Sequence, residues 1–336
     1  MKGMQGTQSA QDFYNTGNIS HIRKIFKSPI ASVLYFLAAV IIMLTFFGNM
    51  VVIVSILHFK QLHTPTNVLV LSLAIADFLV GVLIMPFMVI NSIETCWYFG
   101  DHFCVVYTIS LYLLTDSSIM NMVLIAVDRN IAICNPLIYS NQMTIHIASL
   151  SSVSVWIFSL IYACVIKFFD GAVESQNITD CTGQCQQILR SDWNTADLVI
   201  SFIIPISIII TLYTKIFIIA RKHAKAISTQ EILYAPKNKN NLSTRSERKA
   251  ARTLGIVVTV FICCWLPYFM CTVIDQFTDI FISPLAFSAF MLLAYVNSSI
   301  NPIIYALFYP WFQKSLKLFV TFKIFIPGSS LVNVYN

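Results

Sequence analysis

Residues 104–136 read CVVYTISLYLLTDSSIMNMVLIAVDRNIAICNP. The stretch is largely apolar and long enough to cross a bilayer, which a helix does in about 20 residues. It carries Asp116 in its interior and the pair Asp128-Arg129 near its far end. An ionisable group inside a membrane is costly to bury, so it marks a candidate functional site. We interpret the stretch as a membrane-spanning helix with an outer and an inner end.

The composition of the whole chain agrees with a membrane protein. Of its 336 residues, 57% are hydrophobic and only 11% are charged, whereas soluble domains carry about 25% charged residues. The formal net charge is +6, but the basic residues cluster beside apolar stretches, as they do next to membrane spans. We therefore expect no nucleic-acid partner.

Seven apolar runs set the predicted architecture. They cover roughly 30–57, 66–93, 102–134, 147–168, 194–220, 252–275 and 283–308, and each is long enough to span a bilayer as a helix. The sequence predicts an all-α membrane protein, a seven-transmembrane helix bundle. We divide it into an N-terminal tail (1–28), the seven-helix bundle (29–308) and a C-terminal part (309–336). The last part begins with Pro310 and a mixed apolar and basic face, which is typical of a short amphipathic helix lying on membrane lipid.

The basic residues also predict an orientation. The loop between spans five and six is rich in Lys and Arg, and so is the C-terminal part, whereas the opposite loops are acidic. The positive-inside rule then puts the N-terminus outside the cell and the C-terminus in the cytoplasm, although Arg23, Lys24 and Lys27 weakly oppose it. Asn18, in the pattern Asn-Ile-Ser, becomes a glycosylation candidate on the outer side.

In this orientation four cysteines face the oxidising side, where disulfides persist. They are Cys96, Cys104, Cys181 and Cys185. A bond from Cys104 to the loop before span five would hold that loop over the bundle, and we favour Cys185 as its partner because it lies nearer to span five. Pairing with Cys181 or Cys96, or free thiols, stay open.

The motifs of the seven spans resemble those of the rhodopsin-like (class A) G protein-coupled receptors. They comprise Gly48-Asn49, the LAIAD sequence ending at Asp77, Cys104, Asp128-Arg129, Trp156, Pro205, Tyr213, Cys264-Trp265-Leu266-Pro267 and Asn301-Pro302-Ile303-Ile304-Tyr305. Within that class, residues 92–101 (SIETCWYFGD), 297–302 (NSSINP) and 305–314 (YALFYPWFQK) are similar to the trace amine-associated receptors. The similarity extends from about residue 30 to about residue 320, which is nearly the whole chain.

The resemblance implies a sodium site around Asp77, a carboxylate in the middle of an apolar helix that must be paired or hydrated. Polar residues on other spans could meet it, namely Ser118, Asn297, Ser298 and Asn301. A hydrogen-bonded network without an ion is the alternative. Apart from Na⁺, we expect no cofactor.

The resemblance also implies a signalling end that admits a heterotrimeric G protein. Arg129 has Asp128 beside it and could reach Glu247 at the start of span six; breaking such a pair would let span six swing out. Asn130 occupies the position where the family usually has tyrosine, so the activity of the receptor without ligand could differ from that of the family. Other residues match the family's activation switch, namely Tyr213, Ile119, Pro205, Phe261, Pro302 and Tyr305.

The ligand site departs from the usual amine receptor. The carboxylate that normally binds the ammonium lies seven residues after the span-three cysteine, and here that position is Leu111. Asp197 in span five is our preferred substitute, in the manner of a fish-type branch of the family; the alternative is that it is hydrated at the membrane surface. Asp116 should point away from the Leu111 face, because five residues rotate a helix by about 140°. It is either a second ammonium anchor or a packing group bonded to Ser201 or a backbone carbonyl.

The rest of the predicted site is aromatic with a few hydroxyl groups. Tyr112, Trp265, Tyr268, Phe269 and Tyr295 would face an alkylammonium, and Thr115, Ser201 and Thr272 would add polar contacts. The predicted function is an amine-sensing receptor for a mono-, di- or polyamine, coupled to a stimulatory, olfactory-type G protein that raises cAMP, in the plasma membrane and in olfactory cilia. A receptor for a non-amine molecule and, more remotely, a transporter are the alternatives. The chain has no HExxH or GxSxG motif, and we expect no enzyme.

Overall fold

The computed structural model describes residues 29–94, 97–169, 185, 191–233, 240–278, 280 and 282–334. In this part of the chain seven helices are long and apolar enough to cross a membrane, which confirms the predicted bundle. The tail 1–28, with Asn18, lies outside the described residues, and so do Cys96 and Cys181. The backbone of Glu247 is helical, but its side chain is also outside the described set.

The spans begin and end close to the predicted runs, except that the helix of span five continues past the predicted end at 220 to Leu233 and that of span six begins before the predicted 252, at Asn240. In chain order they are Pro29–His58, Pro65–Glu94, Gly100–Cys134, Ile145–Phe169, the continuous segments Ser191–Asp197, Leu198–Ile203 and Ile204–Leu233, then Asn240–Phe277 and Pro284–Phe308. A short helix, Pro136–Gln142, follows span three. The amphipathic helix predicted after span seven is present as Pro310–Val320, with Trp311 and Phe312 buried.

Local sequence explains where spans two and seven begin. The Thr64 hydroxyl accepts from the Asn67 N–H, and Pro65 takes the first helical position. Ser283 caps span seven in the same way, its hydroxyl accepting from the Ala286 N–H at 3.2 Å before Pro284. A hydroxyl cap satisfies an otherwise unpaired N–H, and proline has no N–H to lose at this position.

Two spans contain a π-helical turn just before a proline. In span two the turn is Val80–Ile84, followed by Pro86, and in span five it is Leu198–Ile203, followed by Pro205. A proline ring clashes with the carbonyl four residues back and removes one hydrogen bond, so the wider turn accommodates it. Pro267 and Pro302 lie inside spans six and seven, which continue as helices through them.

Small residues let span one approach its neighbours. A Cβ added at Gly48 would lie 2.7 Å from the Cβ of Pro302 in span seven. At Gly81 an added Cβ would lie 3.0 Å from Cγ2 of Thr45. Close backbone approach through small residues is a common way for helices to associate in membranes, and here it brings spans one, two and seven together.

We name the two ends of the bundle after residues of span three. At the Cys104 end, a disulfide joins Cys104 to Cys185, which confirms the preferred pairing. At the Arg129 end, the amphipathic helix packs against spans one and seven through a cluster that includes Val52, Ile56, Tyr305 and Trp311. Between the ends, spans three, five and six share a core around Ile119, Phe261 and Trp265.

Candidate functional site

A cavity of 40 Å³ lies between spans three, five, six and seven, toward the Cys104 end. Nine of the ten residues predicted to bind the ligand line it. Thr272 is not among its lining residues; its hydroxyl donates to the Phe269 carbonyl at 2.8 Å instead. Sequence reasoning missed Met291 and Ala294, which complete the wall together with Leu111. They are small or apolar side chains, which carry no chemical signal of a site.

Asp197 lies in the wall of this cavity and is held by two hydroxyl groups. Tyr162 of span four donates to Asp197 Oδ1 at 2.8 Å, and Ser201 donates to the same oxygen at 3.0 Å. No donor among the described residues reaches Oδ2. The side chain is partly buried, so its surroundings differ from the hydrated surface position that we considered as the alternative.

Tyr162 was also missed from the sequence. A tyrosine in an apolar span usually has a partner for its hydroxyl, and that signal alone pointed to a polar group nearby. The partner could not be found without knowing how spans four and five face each other. Tyr162 and Ser201 orient Asp197 from two sides, as supporting hydrogen bonds orient a binding group.

Asp116 faces the same cavity, contrary to our expectation from helix rotation. Leu111, Tyr112, Thr115 and Asp116 all line it, so the cavity covers a face of span three about 140° wide. The rotation was calculated correctly, but the cavity is wider than a single row of side chains. Asp116 is 2% exposed, and its Oδ2 has no hydrogen-bond partner among the described residues.

Ser201 lines the cavity together with both carboxylates. Its hydroxyl donates to Asp197 Oδ1. The bond to Ser201 that we considered for a packing role of Asp116 is therefore compatible with its position in the cavity wall. Oδ2 of Asp116 remains without a donor among the described residues, which is unusual for a buried polar atom.

Aromatic rings form the floor of the cavity. The rings of Trp265 and Tyr295 meet edge to face with centroids 6.0 Å apart, and Phe269 lies 5.8 Å from Trp265. The Tyr295 hydroxyl is 3.2 Å from Thr115 Oγ1. Trp265 Nε1 is a buried donor without a partner in the described part of the chain, as Asp116 Oδ2 is an acceptor without one.

Asp77 is fully buried in a polar network below the cavity. Ser118 and Ser298 donate to its Oδ1 at 2.9 and 2.8 Å, and Asn301 donates to Oδ2 at 2.7 Å. Asn297 is buried nearby but no hydrogen bond from it to Asp77 is seen. Carboxylate and hydroxyl oxygens are suitable ligands for a hard cation. Among the described residues, no three His, Cys, Asp or Glu side chains cluster for a metal.

At the Arg129 end, Asp128 holds Arg129 in a closed arrangement. Arg129 Nε and Nη2 donate to Asp128 Oδ2 at 2.8 and 2.5 Å. Thr66 donates to the same oxygen at 2.8 Å and also contacts Arg129 Nη2. Tyr139 donates to Asp128 Oδ1 at 2.8 Å. The predicted contact with Glu247 falls outside the described side chains.

Thr66 and Tyr139 were not found from the sequence, because neither the first turn of span two nor the short helix Pro136–Gln142 carries a distinctive pattern. Burial raises the pKa of Tyr139, so its phenol stays protonated and can donate to Asp128. Asn130 donates to the Leu212 carbonyl at 3.3 Å and so joins span three to span five. Ile119 and Phe261 share one buried cluster, against which Tyr213 packs, and Pro205, Pro302 and Tyr305 are buried as well.

Comparison with known proteins agrees with this architecture. Residues 48–305 match the model of the 7 transmembrane receptor (rhodopsin family). The chain is 43% identical to trace amine-associated receptor 13c of Danio rerio over 91% of this chain and 90% of the relative. It is 39% identical to trace amine-associated receptor 4 of Mus musculus over 96% and 94% of the two chains. It is also 39% identical to trace amine-associated receptor 1 of Homo sapiens, over 96% and 97%.

Matches over nearly the full length of both chains show membership and not only a shared fold. Proteins of this kind are multi-pass plasma membrane receptors, not enzymes, and they act between a ligand and a heterotrimeric G protein. The chain therefore belongs to the trace amine-associated receptors, within the rhodopsin family of G protein-coupled receptors.

Proposed function

We propose that this receptor binds a small cationic amine in the cavity, with the ammonium group on Asp197. The observation that carries the proposal is a carboxylate in the cavity wall whose Oδ1 is held by Tyr162 and Ser201. An ammonium ion loses its hydration on entry, and a fixed counter-ion with further hydrogen bonds compensates for that loss. The names of the relatives, which describe trace amine receptors, support the same ligand class.

The size and lining of the cavity favour a small ligand. A water molecule needs about 10–15 Å³ in this measure, so 40 Å³ accommodates an ammonium group with a short carbon chain. The faces of Trp265, Tyr268 and Tyr295 surround this space, and each cation–π contact adds roughly 0.5–2 kcal/mol. Leu111 supplies an apolar wall where a second charge would otherwise stand.

Substitution of Asp197 by alanine tests the proposal. It removes the counter-ion and leaves the ammonium unpaired, which costs roughly 3–5 kcal/mol, or about 150-fold to several thousand-fold in potency. The measurement is the concentration dependence of cAMP production for a panel of mono-, di- and polyamines. Surface expression is measured in parallel for each variant.

Asp275→Ala is the matched control, because Asp275 is an exposed carboxylate on span six near the same end. It changes the net charge equally, but Asp275 does not line the cavity, so amine potency should stay within a few-fold of wild type. Unchanged amine potency in Asp197→Ala would refute the span-five site. A response to neutral compounds that survives in this variant would favour a non-amine ligand.

The remaining features of the proposal concern signalling. We infer that the Cys104 end is extracellular, because disulfides persist on the oxidising side and the opposite loops are basic. The ligand would then enter from outside, and Arg129 would face the cytoplasm and a stimulatory, olfactory-type G protein. Olfactory cilia are the proposed location. Asp77 would hold Na⁺ with the hydroxyl oxygen of Ser118, and Asn301 would complete the polar surroundings.

A further inference from the structure

A second and larger space, of 450 Å³, lies at the Arg129 end on the outer side of span one. Met50 and Val54 of span one form one wall. Phe319 and Ile324, from the amphipathic helix and the chain after it, form the other. At one end the lining becomes polar, with His58 and Ser329. Neither the amine site nor the signalling residues use this groove.

The outer wall is built by a C-terminal segment that folds back onto the bundle. His58 Nε2 and Ser329 Oγ lie 2.9 Å apart, and the Val334 N–H donates to Gln61 Oε1 at 3.3 Å. Lys314 Nζ donates to the Asn333 carbonyl at 2.6 Å. Ile324 and Val334 are buried in the same cluster as Trp311. The segment is thus attached at several points along its length.

The outer face of this segment is strongly apolar. Phe322, Phe325 and Leu331 are 74%, 76% and 68% exposed, and Val320 is 71% exposed. They continue the lipid-facing surface of span one, where Phe47 and Leu57 are 53% and 61% exposed. An exposed apolar patch of this kind, next to a membrane span, is typical of a surface that enters lipid.

The charge around the groove is positive. Lys60, Lys317 and Lys323 are exposed around it, and residues 309–336 contain no Asp or Glu. Juxtamembrane lysines attract the anionic lipids of the inner leaflet.

We propose that this groove binds an anionic phospholipid, with one acyl chain between span one and residues 319–330 and the headgroup near His58, Ser329 and the lysines. Residues 320–331 then form a membrane anchor in the same leaflet, which is the inner one in the orientation inferred above. The apolar length and polar end of the groove match an amphiphile, and its position is continuous with the lipid-facing surface.

The test measures lipid retained by the full-length receptor. The receptor is assembled in nanodiscs of phosphatidylcholine mixed with phosphatidylserine, released, and examined by native mass spectrometry. Met50→Trp fills the groove and should lower retained phosphatidylserine about tenfold, as expected for the loss of about two buried methylene groups. Met43→Trp is the matched control, since Met43 is 52% exposed on the same span but lies outside the groove.

Two further variants separate the contributions. Ser330→Trp fills the groove from the other wall and replaces Met50→Trp if that variant fails to fold. The double variant Lys317→Gln, Lys323→Gln should remove the preference for phosphatidylserine over phosphatidylcholine. Its retention of phosphatidylcholine should be unchanged. The Asp197→Ala receptor should retain lipid as the wild type does. A failure of the amine proposal can therefore be distinguished from a failure of the lipid proposal.

Three results would overturn the proposal. The first is wild-type phosphatidylserine retention in both tryptophan variants that fill the groove. The second is equal retention of phosphatidylcholine and phosphatidylserine by the wild-type receptor, which would show that the groove does not select an anionic lipid. The third is a lower fraction of receptor dimers in Met50→Trp with unchanged lipid, which identifies the groove as a contact between two copies of the chain.

Discussion

Two carboxylates of the cavity have different surroundings, and this difference suggests different roles. Asp197 receives hydrogen bonds from Tyr162 and Ser201, whereas Asp116 Oδ2 receives none in the described part of the chain. Like charges so close to one another repel, and a ligand with two ammonium groups, or one ammonium shared between both acids, relieves that repulsion. On the proposal made above, Asp197 would be the main counter-ion and Asp116 a second acceptor.

Asp116→Asn should reduce potency selectively for diamines. The amide keeps the shape of the side chain but loses its charge, and a hydrogen bond to a charged group contributes about 1.5–3 kcal/mol. We expect diamine potency to fall by roughly 10- to 150-fold and monoamine potency to change far less. The measurement is amine-stimulated cAMP, normalised to surface expression. An equal loss for both classes would mean that Asp116 is a packing group.

Tyr139→Phe should raise activity in the absence of ligand. The hydroxyl of Tyr139 donates to Asp128 Oδ1, and its removal costs the closed arrangement about 1.5–3 kcal/mol, since the acceptor is charged. Arg129 is then released from Asp128 more often. Basal cAMP per receptor at the surface is the measurement. Tyr98→Phe, an exposed tyrosine at the other end, is the control, and equal basal activity in both variants would contradict the prediction.

At the scale of helices, the close approach of spans one and seven depends on a glycine. Gly48→Ala would place a methyl group 2.7 Å from Pro302, and the two backbones would have to separate. Overpacking of this kind costs about 1–3 kcal/mol, so the thermal midpoint of the purified receptor should fall. Pro302 belongs to an activation switch proposed above, so ligand efficacy should change as well.

Gly255→Ala is the matched control for this prediction. Gly255 lies in span six, and an added Cβ meets nothing within 4 Å. Alanine there reduces only the freedom of the unfolded chain and should stabilise the receptor by about 0.4–1 kcal/mol. Equal midpoints for the two alanine variants would show that the spans can separate without cost.

The helices could be predicted from the sequence far better than their irregularities. The long apolar runs predict the seven spans. Pro310 and the mixed apolar and basic residues after it predict the amphipathic helix. Both predictions succeed because length and periodicity are local properties of the sequence. The π-helical turn at Leu198–Ile203 was not predicted, although Pro205 suggested a kink. Its form depends on how span five packs, which no single-chain pattern encodes.

The cavity was predictable in composition but not in shape. Nine residues that line the cavity were predicted from residue types at one depth of the bundle. This was possible because the resemblance indicates which helix faces point inward. Asp116 was among the predicted residues, but its sharing a wall with Leu111 was not expected, because the width of that wall depends on the separation of spans three and five. The fold-back of residues 321–334 was missed for the same reason: its partners, His58 and Gln61, are distant in sequence.

At the scale of the whole molecule, span three connects the two ends and Asp77 joins it to two other spans. Ser118 of span three, Ser298 and Asn301 of span seven all donate to this carboxylate of span two. A ligand that moves span seven or span three must therefore change this network. The network lies below the amine cavity and above the Arg129 cluster, so it is the place where an ion would couple them.

Asp77→Asn should abolish the effect of Na⁺ on amine affinity. If Asp77 holds Na⁺ as proposed, the ion would favour the closed arrangement, and replacing Na⁺ by N-methylglucamine at equal ionic strength should increase amine affinity. Coupling free energies between sites are about 1–3 kcal/mol, or 5- to 150-fold. Equal ionic strength is needed because salt also screens the ammonium from Asp197.

Without its carboxylate, position 77 cannot hold the cation, and the two salts should then give the same affinity. Asn at this position still receives hydrogen bonds from Ser118 or Ser298, so the bundle should fold. Ser118→Ala, which keeps the carboxylate and removes one oxygen, should weaken the Na⁺ effect and not abolish it. If Asp77→Asn instead retains the full difference between the two salts, the network holds no ion and Asp77 is purely structural. The same binding experiment on Asp275→Asn, whose carboxylate is exposed and distant from the network, should reproduce the wild-type difference.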